Sequence, residues 1–136
     1  MDAAQALADL TEISSQIEAA VLFDEEGAVQ GSTLADEGAA RALATAAGVL
    51  LEGAAGFRTG GAELRQLEAS THEGSVFVVC DGPRRIAATT GPDPTAGLVF
   101  YDLKSCLRGA AADEPKPRRR RRTAADTGGE TRDDEA

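Results

Sequence analysis

The 136-residue sequence predicts an α/β fold, in which a mainly antiparallel sheet packs against helices over about residues 1–112. Three observations predict this fold. A long helical pattern separates a group of two strand-like segments from a group of three. Within each group the strands are joined by short turns, which is typical of antiparallel pairing. Beyond residue 112 the only apolar residues are three alanines, so the core is expected to end there.

The first two strands follow a short N-terminal helix. Asp2 is placed to cap a helix whose apolar residues recur at helical spacing as far as Ile13. Residues 17–23 form an almost uninterrupted apolar run, which favours a central strand. Asp24 to Gly27 provides a turn, after which residues 28–31 can return as a short second strand. These segments predict a helix followed by a hairpin.

A long alanine-rich helix is predicted from its N-cap at Asp36 to about Gly56. Its apolar positions alternate every three and four residues, which gives a heptad-like stripe. The stripe comprises Ala39, Ala40, Leu43, Ala46, Ala47, Leu50, Leu51 and Ala54. Part of it is expected to cover the helix's own sheet. Because the stripe is wider than one such contact needs, it also suits a second helix at short distance.

The second group contains three strands and a closing helix. Residues 62–71 alternate imperfectly between apolar and polar types, which predicts an edge strand with one solvated face. His72 to Gly74 is a hairpin turn, residues 76–80 a fully buried strand and residues 85–89 a fifth strand. Asp93, which a proline follows, is the predicted N-cap of the last helix.

Residues 113–136 carry an arginine-rich segment and then an acidic end, with too few apolar residues for a core. We expect this tail to be disordered. The run Arg118, Arg119, Arg120, Arg121 and Arg122 could contact an anionic surface, either nucleic acid or lipid. The alternative is a solvated tail whose basic block meets acidic residues of the same chain. Residues 1–115 hold 18 acidic and 7 basic residues, which argues against nucleic acid as the main partner.

The sequence contains no motif for catalysis, cofactor binding or metal binding. The glycines that follow the long helix do not lie between a strand and a helix N-terminus, as a phosphate-binding loop requires. His72 is the only histidine, and Cys80 and Cys106 lie on different predicted elements, so no metal-ligand set exists. Both cysteines are expected to be buried free thiols in a reducing compartment. We therefore predict a non-enzymatic protein with no cofactor and no metal.

Composition adds two expectations. Apolar residues make up 42% of the chain but aromatic residues only 4%, so the core is built from small side chains and leaves little room for a large ligand cavity. No secretory signal is apparent, and no apolar run approaches the roughly 18 residues that a membrane span needs. The expected location is cytoplasmic.

The order and lengths of these elements resemble the roadblock/dynein light-chain family. The residues that carry the resemblance are the opening helix, the segment Glu18–Gly27, the long helix from Asp36 to Ala55, and the segment from Leu64 through the His72 turn to Val79. The resemblance spans about residues 3–110. It implies a five-stranded antiparallel sheet sandwiched between one long helix and two terminal helices, a roadblock/profilin-like fold. The alanine- and arginine-rich composition looks like that of a high-GC bacterium, which fits the family's bacterial branch.

The resemblance also implies a homodimer in which the long helices pair and the middle edge strands join into one sheet. By position, the implied interface residues are Leu43, Ala47, Leu50, Leu51, Leu64, Leu67 and Ala69. Members of the family act as scaffolds and regulators of Ras-like small GTPases, or as adaptors. We therefore expect a homodimeric scaffold that binds a Ras-like small GTPase and modulates its nucleotide cycle or localisation. The alternatives are a small-molecule sensing or adaptor module without a GTPase partner, and an anionic-surface binder that uses the arginine tail.

Overall fold

Three helices and five strands follow one another in the predicted order within residues 2–57 and 63–111, the parts that the computed structural model describes. The elements are α1 (Ala3–Ile13), β1 (Ile17–Asp24), β2 (Val29–Ser32), α2 (Glu37–Ala55), β3 (Gln66–Thr71), β4 (Gly74–Asp81), β5 (Arg84–Thr90) and α3 (Ala96–Ala111). The predicted α/β fold class is confirmed. The tail from residue 113 to residue 136, with its arginine block, lies outside the described residues.

The five strands form one antiparallel sheet in the order β2-β1-β5-β4-β3. β1 and β5 are adjacent in the interior of the sheet, where Ala20 pairs with Ala88 and Val21 pairs with Ala87. Hairpins place β2 beside β1 and arrange β3, β4 and β5 in a row. α2 connects β2 at one edge to β3 at the other, so the chain crosses the whole sheet in that step. The antiparallel sheet of five strands is therefore as predicted.

One face of the sheet is covered by α1 and α3, which also pack against each other. This face buries the larger side chains of the core, among them Leu10, Phe77, Leu103 and Leu107, each at most 1% exposed. The ring of Phe77 meets that of Phe100 edge to face, with their centroids 5.0 Å apart. Two helices and large side chains thus cover most of this face, with Ile17 and Phe100 partly buried against its core.

The other face is covered by α2 alone. Asp36 caps the helix as predicted, because its carboxylate accepts hydrogen bonds from the backbone N–H groups of Gly38 and Ala39. The helix buries Ala40, Ala44, Ala47 and Leu51 against Val21, Phe23, Val78 and Ala87 of the sheet. Alanine at three of these four helix positions allows the helix backbone to approach the strands closely.

Two element boundaries differ from the predictions. β3 begins at Gln66 rather than at residue 62, although the carbonyl of Arg65 still accepts a hydrogen bond from the Cys80 N–H at 2.8 Å. α3 begins at Ala96, and Asp93 is not its N-cap. Asp93 has φ 58°, a left-handed conformation, and the following proline disfavours helical backbone there. Thr95 takes the cap position, since its carbonyl accepts the first helical bond, from the Val99 N–H.

The hairpin that joins β3 to β4 depends on Gly74. The Thr71 hydroxyl accepts hydrogen bonds from the N–H groups of Glu73 and Gly74 and donates one to the Gly74 carbonyl. A side chain at Gly74 would collide with the carbonyl oxygen of Thr90 on β5. Only glycine therefore lets the hairpin lie this close to the end of β5.

Candidate protein-interaction surface

β3 is an edge strand, because among the described strands it pairs only with β4. Arg65 accepts a backbone bond from Cys80, and the direction of the backbone groups alternates along an antiparallel strand. The backbone groups of Leu67 and Ala69 therefore point towards β4. Those of Gln66, Glu68 and Ser70 point outwards, where another strand can pair with them. The edge strand predicted from the sequence is present, over Gln66–Thr71.

α2 leaves part of its own face of the sheet incompletely covered. The helix packs mainly on β1, β2 and β5. Phe23, beneath the helix, is 1% exposed, whereas Val76 and Cys80 on β4 and Leu67 on β3 are only half-buried. These three side chains pack at the margin of the α2-side core. The half of this face that carries β3 and β4 is therefore the less protected half.

The structure divides the seven interface residues implied by the resemblance into three groups. Ala47 and Leu51 are 0% and 7% exposed and pack on the sheet of their own chain. Leu43 and Leu50 are half-buried and share one flank of α2, because residues seven apart return to nearly the same helix angle. Leu64, Leu67 and Ala69 lie just before or on β3 and are also half-buried.

The flank with Leu43 and Leu50 continues into apolar residues that face solvent. Ala42 and Ala46 are exposed, and Val49 is 62% exposed. No charged side chain interrupts this set, whereas Arg41 and Glu52 lie elsewhere around the helix. An exposed apolar strip with small residues suits close packing against a second helix.

A cleft of about 610 Å³ opens between α2 and one end of the sheet. Its helix side is formed by the flank of α2 that carries Thr45, Gly48 and Glu52, and not by Leu43 or Leu50. Phe23, Leu51 and Leu64 contribute apolar surface. The helix also contributes Ala44, Val49 and Ala55, and the remainder comes from the 24–27 turn, the 63–65 segment, Cys80, the 81–82 turn and Arg85. This is a surface cleft rather than a cavity within the core.

Carboxylates dominate the lining of the cleft. Six acidic residues line it, against two arginines, Arg65 and Arg85. The acidic residues are Asp24, Glu25, Glu26, Glu52, Glu63 and Asp81. The cleft therefore attracts cations rather than anions, in keeping with the overall formal charge of −9.

The two cysteines occupy different environments. Cys106 is buried, its thiol donates to the Ala6 carbonyl at 3.5 Å, and burial together with Asp9 raises its pKa to about 11. Cys80 is only half-buried in the cleft; burial raises its pKa, while nearby Arg85 acts in the opposite direction. The expectation of two free thiols agrees with the described chain, but Cys80 is less buried than predicted.

No group of side chains that could hold a metal ion occurs within residues 2–57 and 63–111. His72 is exposed in the β3–β4 turn, and these residues contain no group of three potential metal ligands. The predicted anionic-surface contact, Arg118 to Arg122, lies outside the described residues. None of the helices in the described part is both long and apolar enough to span a bilayer.

Solved structures provide the decisive comparison. The roadblock/LC7 domain from Streptomyces avermitilis matches with a TM-score of 0.73 and 22% identity, over 82% of this chain and 97% of that one. The chain has the roadblock/LC7 fold. The gliding protein MglB from Thermus thermophilus matches this chain with a TM-score of 0.68 and 14% identity, over 81% of this chain and 86% of MglB.

A structure described as MglB with tetrameric arrangement is also similar to this chain. Its TM-score is 0.68 and its identity 15%, over 81% of this chain and 85% of that one. Neither a protein-family model nor a curated protein matches the sequence. The fold was therefore recognisable from the order of the elements, since so little residue identity remains.

Sequence reasoning missed the acidic cleft, because the acidic turns that form it are far apart in the sequence. Both acidic turns follow strands that pair with β5, and Arg84 is in register with Asp24 on one side and Asp81 on the other. β1 and β4 are each antiparallel to β5, so their C-terminal ends lie at the same end of the sheet. Only the strand order, which joins β1 to β5, brings the two turns together.

Proposed function

We propose that this protein is a non-enzymatic homodimeric scaffold that binds a Ras-like small GTPase and modulates its nucleotide cycle or localisation. The observation that carries the proposal is the roadblock fold with an unpaired β3 edge beside a half-covered sheet face. The sequence resembles a family that includes regulators of Ras-like small GTPases, and the chain shares its fold with MglB. The proposed scaffold supplies a surface and leaves the nucleotide chemistry to its partner.

Dimerisation is proposed at the β3 edge, with α2 contributing its exposed apolar strip. Pairing of two β3 strands would satisfy the outward backbone groups of Gln66, Glu68 and Ser70 in both copies. It would also extend the sheet beside the half-buried side chains of Leu67 and Val76. An unprotected edge strand is a route to aggregation, and a two-fold partner removes that exposure.

A pair of proline substitutions tests the edge. Glu68→Pro removes an outward N–H and leaves the β3–β4 ladder intact, so the fold should persist while the dimer loses two symmetry-related bonds. At about 1 kcal/mol each, this weakens dimerisation by about 30-fold. Ala69→Pro removes an inward N–H and should instead lower the free energy of unfolding. Sedimentation equilibrium and urea denaturation separate the effects; a dimer unchanged by Glu68→Pro eliminates β3 pairing.

GTPase binding is tested with purified Ras-like GTPases of bacterial type, each loaded with GDP or a non-hydrolysable GTP analogue. The expected result is co-elution with one nucleotide state and a changed rate of hydrolysis or exchange. Glu68→Pro serves as the dimer-deficient comparison. Absence of co-elution and of any rate change across the panel removes the GTPase proposal, while a retained dimer would leave the scaffold assembly standing.

The acidic cleft favours a second candidate function, a small-molecule sensing module. Its volume of about 610 Å³ falls within the usual range of roughly 300–1,000 Å³ for ligand sites. Its carboxylates select cationic compounds such as polyamines. If this is the function, at least one compound in a thermal-shift screen of cationic metabolites should raise the melting temperature of the protein. The same compound should raise the melting temperature of the Glu52→Gln variant less, because that variant lacks one cleft carboxylate. No shift with any compound counts against sensing.

A further inference from the structure

The acidic cleft has both the charge and the shape to hold a basic peptide. Its six carboxylates come from four separate parts of the chain and surround apolar surface from Leu51 and Leu64. An arginine side chain can lay its aliphatic stem on such surface while its guanidinium reaches a carboxylate. A peptide with several successive arginines can form several such contacts at once.

The chain itself contains such a peptide, in the five successive arginines from Arg118 to Arg122. Residues 1–115 hold 11 more acidic than basic residues, and six of those acidic residues line this one cleft. The most basic segment of the sequence and the acidic cleft are therefore complementary in charge.

The end of α3 lies near enough for this segment to reach the cleft. The Thr95 N–H donates to the Gln16 side chain, which places the start of α3 beside the start of β1. α3 has 16 residues and β1 has 8, so they extend over about 24 Å and 26 Å. Farther along α3, Cys106 contacts Ala6, in the N-terminal half of α1. α3 therefore runs towards the end of the sheet where β1 ends at Asp24, a cleft residue.

Seven residue steps separate Ala111 from Arg118, and extended chain covers at most about 25 Å in that number of steps. Packed layers lie about 10 Å apart, so the segment can pass the end of the sheet from the α3 side to the α2 side. The connection is long enough for contact within one molecule.

We propose that the block Arg118–Arg122 binds in the acidic cleft of the same chain. The contact covers Cys80 and neutralises part of the carboxylate cluster. It does not depend on dimerisation or on a GTPase, so it stands or falls separately from the proposed function.

The test compares amide chemical shifts of the ¹⁵N-labelled full-length chain with those of a variant in which all five arginines are replaced by glutamine. The expected shift differences are concentrated at Glu26, Gly27, Glu63 and Gly82, around the cleft. Sodium chloride at about 1 M should abolish the difference, because it shortens the screening length to about 3 Å. The amides of Gly38 and Gly97, away from the cleft, serve as internal controls.

Two double variants test whether the arginine-dependent shifts require the carboxylates of the cleft. Glu52→Gln with Glu63→Gln removes two cleft carboxylates, whereas Glu12→Gln with Glu73→Gln removes the same charge from exposed positions elsewhere. Loss of the arginine-dependent shifts is expected only in the first pair. Equal losses in both pairs would indicate unspecific attraction and overturn the proposal.

The dependence of the shift differences on protein concentration and their location also test the proposal. Shift differences that are independent of protein concentration support binding within one chain. Differences that grow with concentration show that the block binds a second copy, which contradicts the proposal. Differences located away from the cleft, or none at all, contradict it as well.

Discussion

The two faces of the sheet are stabilised in different ways. On one face, α1 and α3 bury Phe77, Leu103 and other large side chains almost completely. On the other, the single helix α2 uses alanines, and half-buried Leu67 and Val76 lie at the margin of its core. The first face buries most of its large side chains within one chain, whereas the second retains apolar surface that a partner can cover. The larger part of the core and the proposed association surface thus lie on opposite faces of one sheet.

The largest expected effect tests whether the α1–α3 face supplies the stability. Leu103→Ala removes a side chain that is 0% exposed and should lower the free energy of unfolding by about 2–5 kcal/mol. Leu98→Ala on the same helix, at a position 50% exposed, should cost no more than about 1 kcal/mol. Urea denaturation of both variants provides the measurement. Equal decreases in the free energy of unfolding for the two variants would show that burial in the α1–α3 face does not determine the effect.

A smaller effect is expected where α2 meets the sheet. Ala47→Leu forces extra volume into a position that is 0% exposed and should destabilise the fold by about 1–3 kcal/mol. Ala46→Leu adds the same atoms at the exposed neighbouring position and should change stability by about 0.5 kcal/mol or less. Thermal unfolding monitored by circular dichroism separates the two. A tolerated leucine at position 47 would mean that α2 packs more loosely than described.

A charge placed on the apolar strip of α2 tests whether this strip belongs to the proposed dimer interface. Ala46→Asp should weaken dimerisation by about 10-fold or more, because an unpaired carboxylate would be desolvated there, while the exposed position keeps the fold intact. Thr45→Asp adds the same charge at the adjacent exposed residue, on the cleft side of the helix. Sedimentation equilibrium should show the weaker dimer only for Ala46→Asp; the reverse order would place the helix contact on the cleft side.

The smallest effect concerns pH. Burial raises the pKa of Cys106 from an ordinary 9.0 to about 11, so its thiol is harder to ionise in the folded chain. Below pH 9 it is protonated in both states and its contribution to stability is complete; that contribution is lost as the pH rises from about 9 to 11. Cys106→Ala should therefore flatten the decline in unfolding free energy over this interval. Parallel pH profiles for the two proteins would refute the assignment.

Much of the fold was predictable because local signals agreed with one another. The caps at Asp2 and Asp36, the apolar run of β1 and the short turns each specified their element correctly. The errors arose where backbone geometry overrode residue preference. Asp93 has a favourable cap residue type, yet its left-handed backbone and the proline after it move the helix start to Ala96.

The interaction surface was less predictable, because periodicity alone does not say which residues of a stripe are already buried. Ala47 and Leu51 belong to the same stripe as Leu43 and Leu50, but only the first two are buried against the protein's own sheet. The acidic cleft required knowledge of strand order. Its turns are separated by more than fifty residues in sequence and become neighbours only because β1 pairs with β5.

The pairing of β1 with β5 also has a kinetic consequence. Val21 and Ala87 are partners across 66 positions of sequence, whereas β3, β4 and β5 are joined by two-residue loops. The three-stranded meander can form by local contacts, but joining the N-terminal hairpin to it requires closure of a long loop. That closure is the expected rate-limiting step of folding, which should place refolding in the millisecond-to-second range of other sheets with non-local contacts.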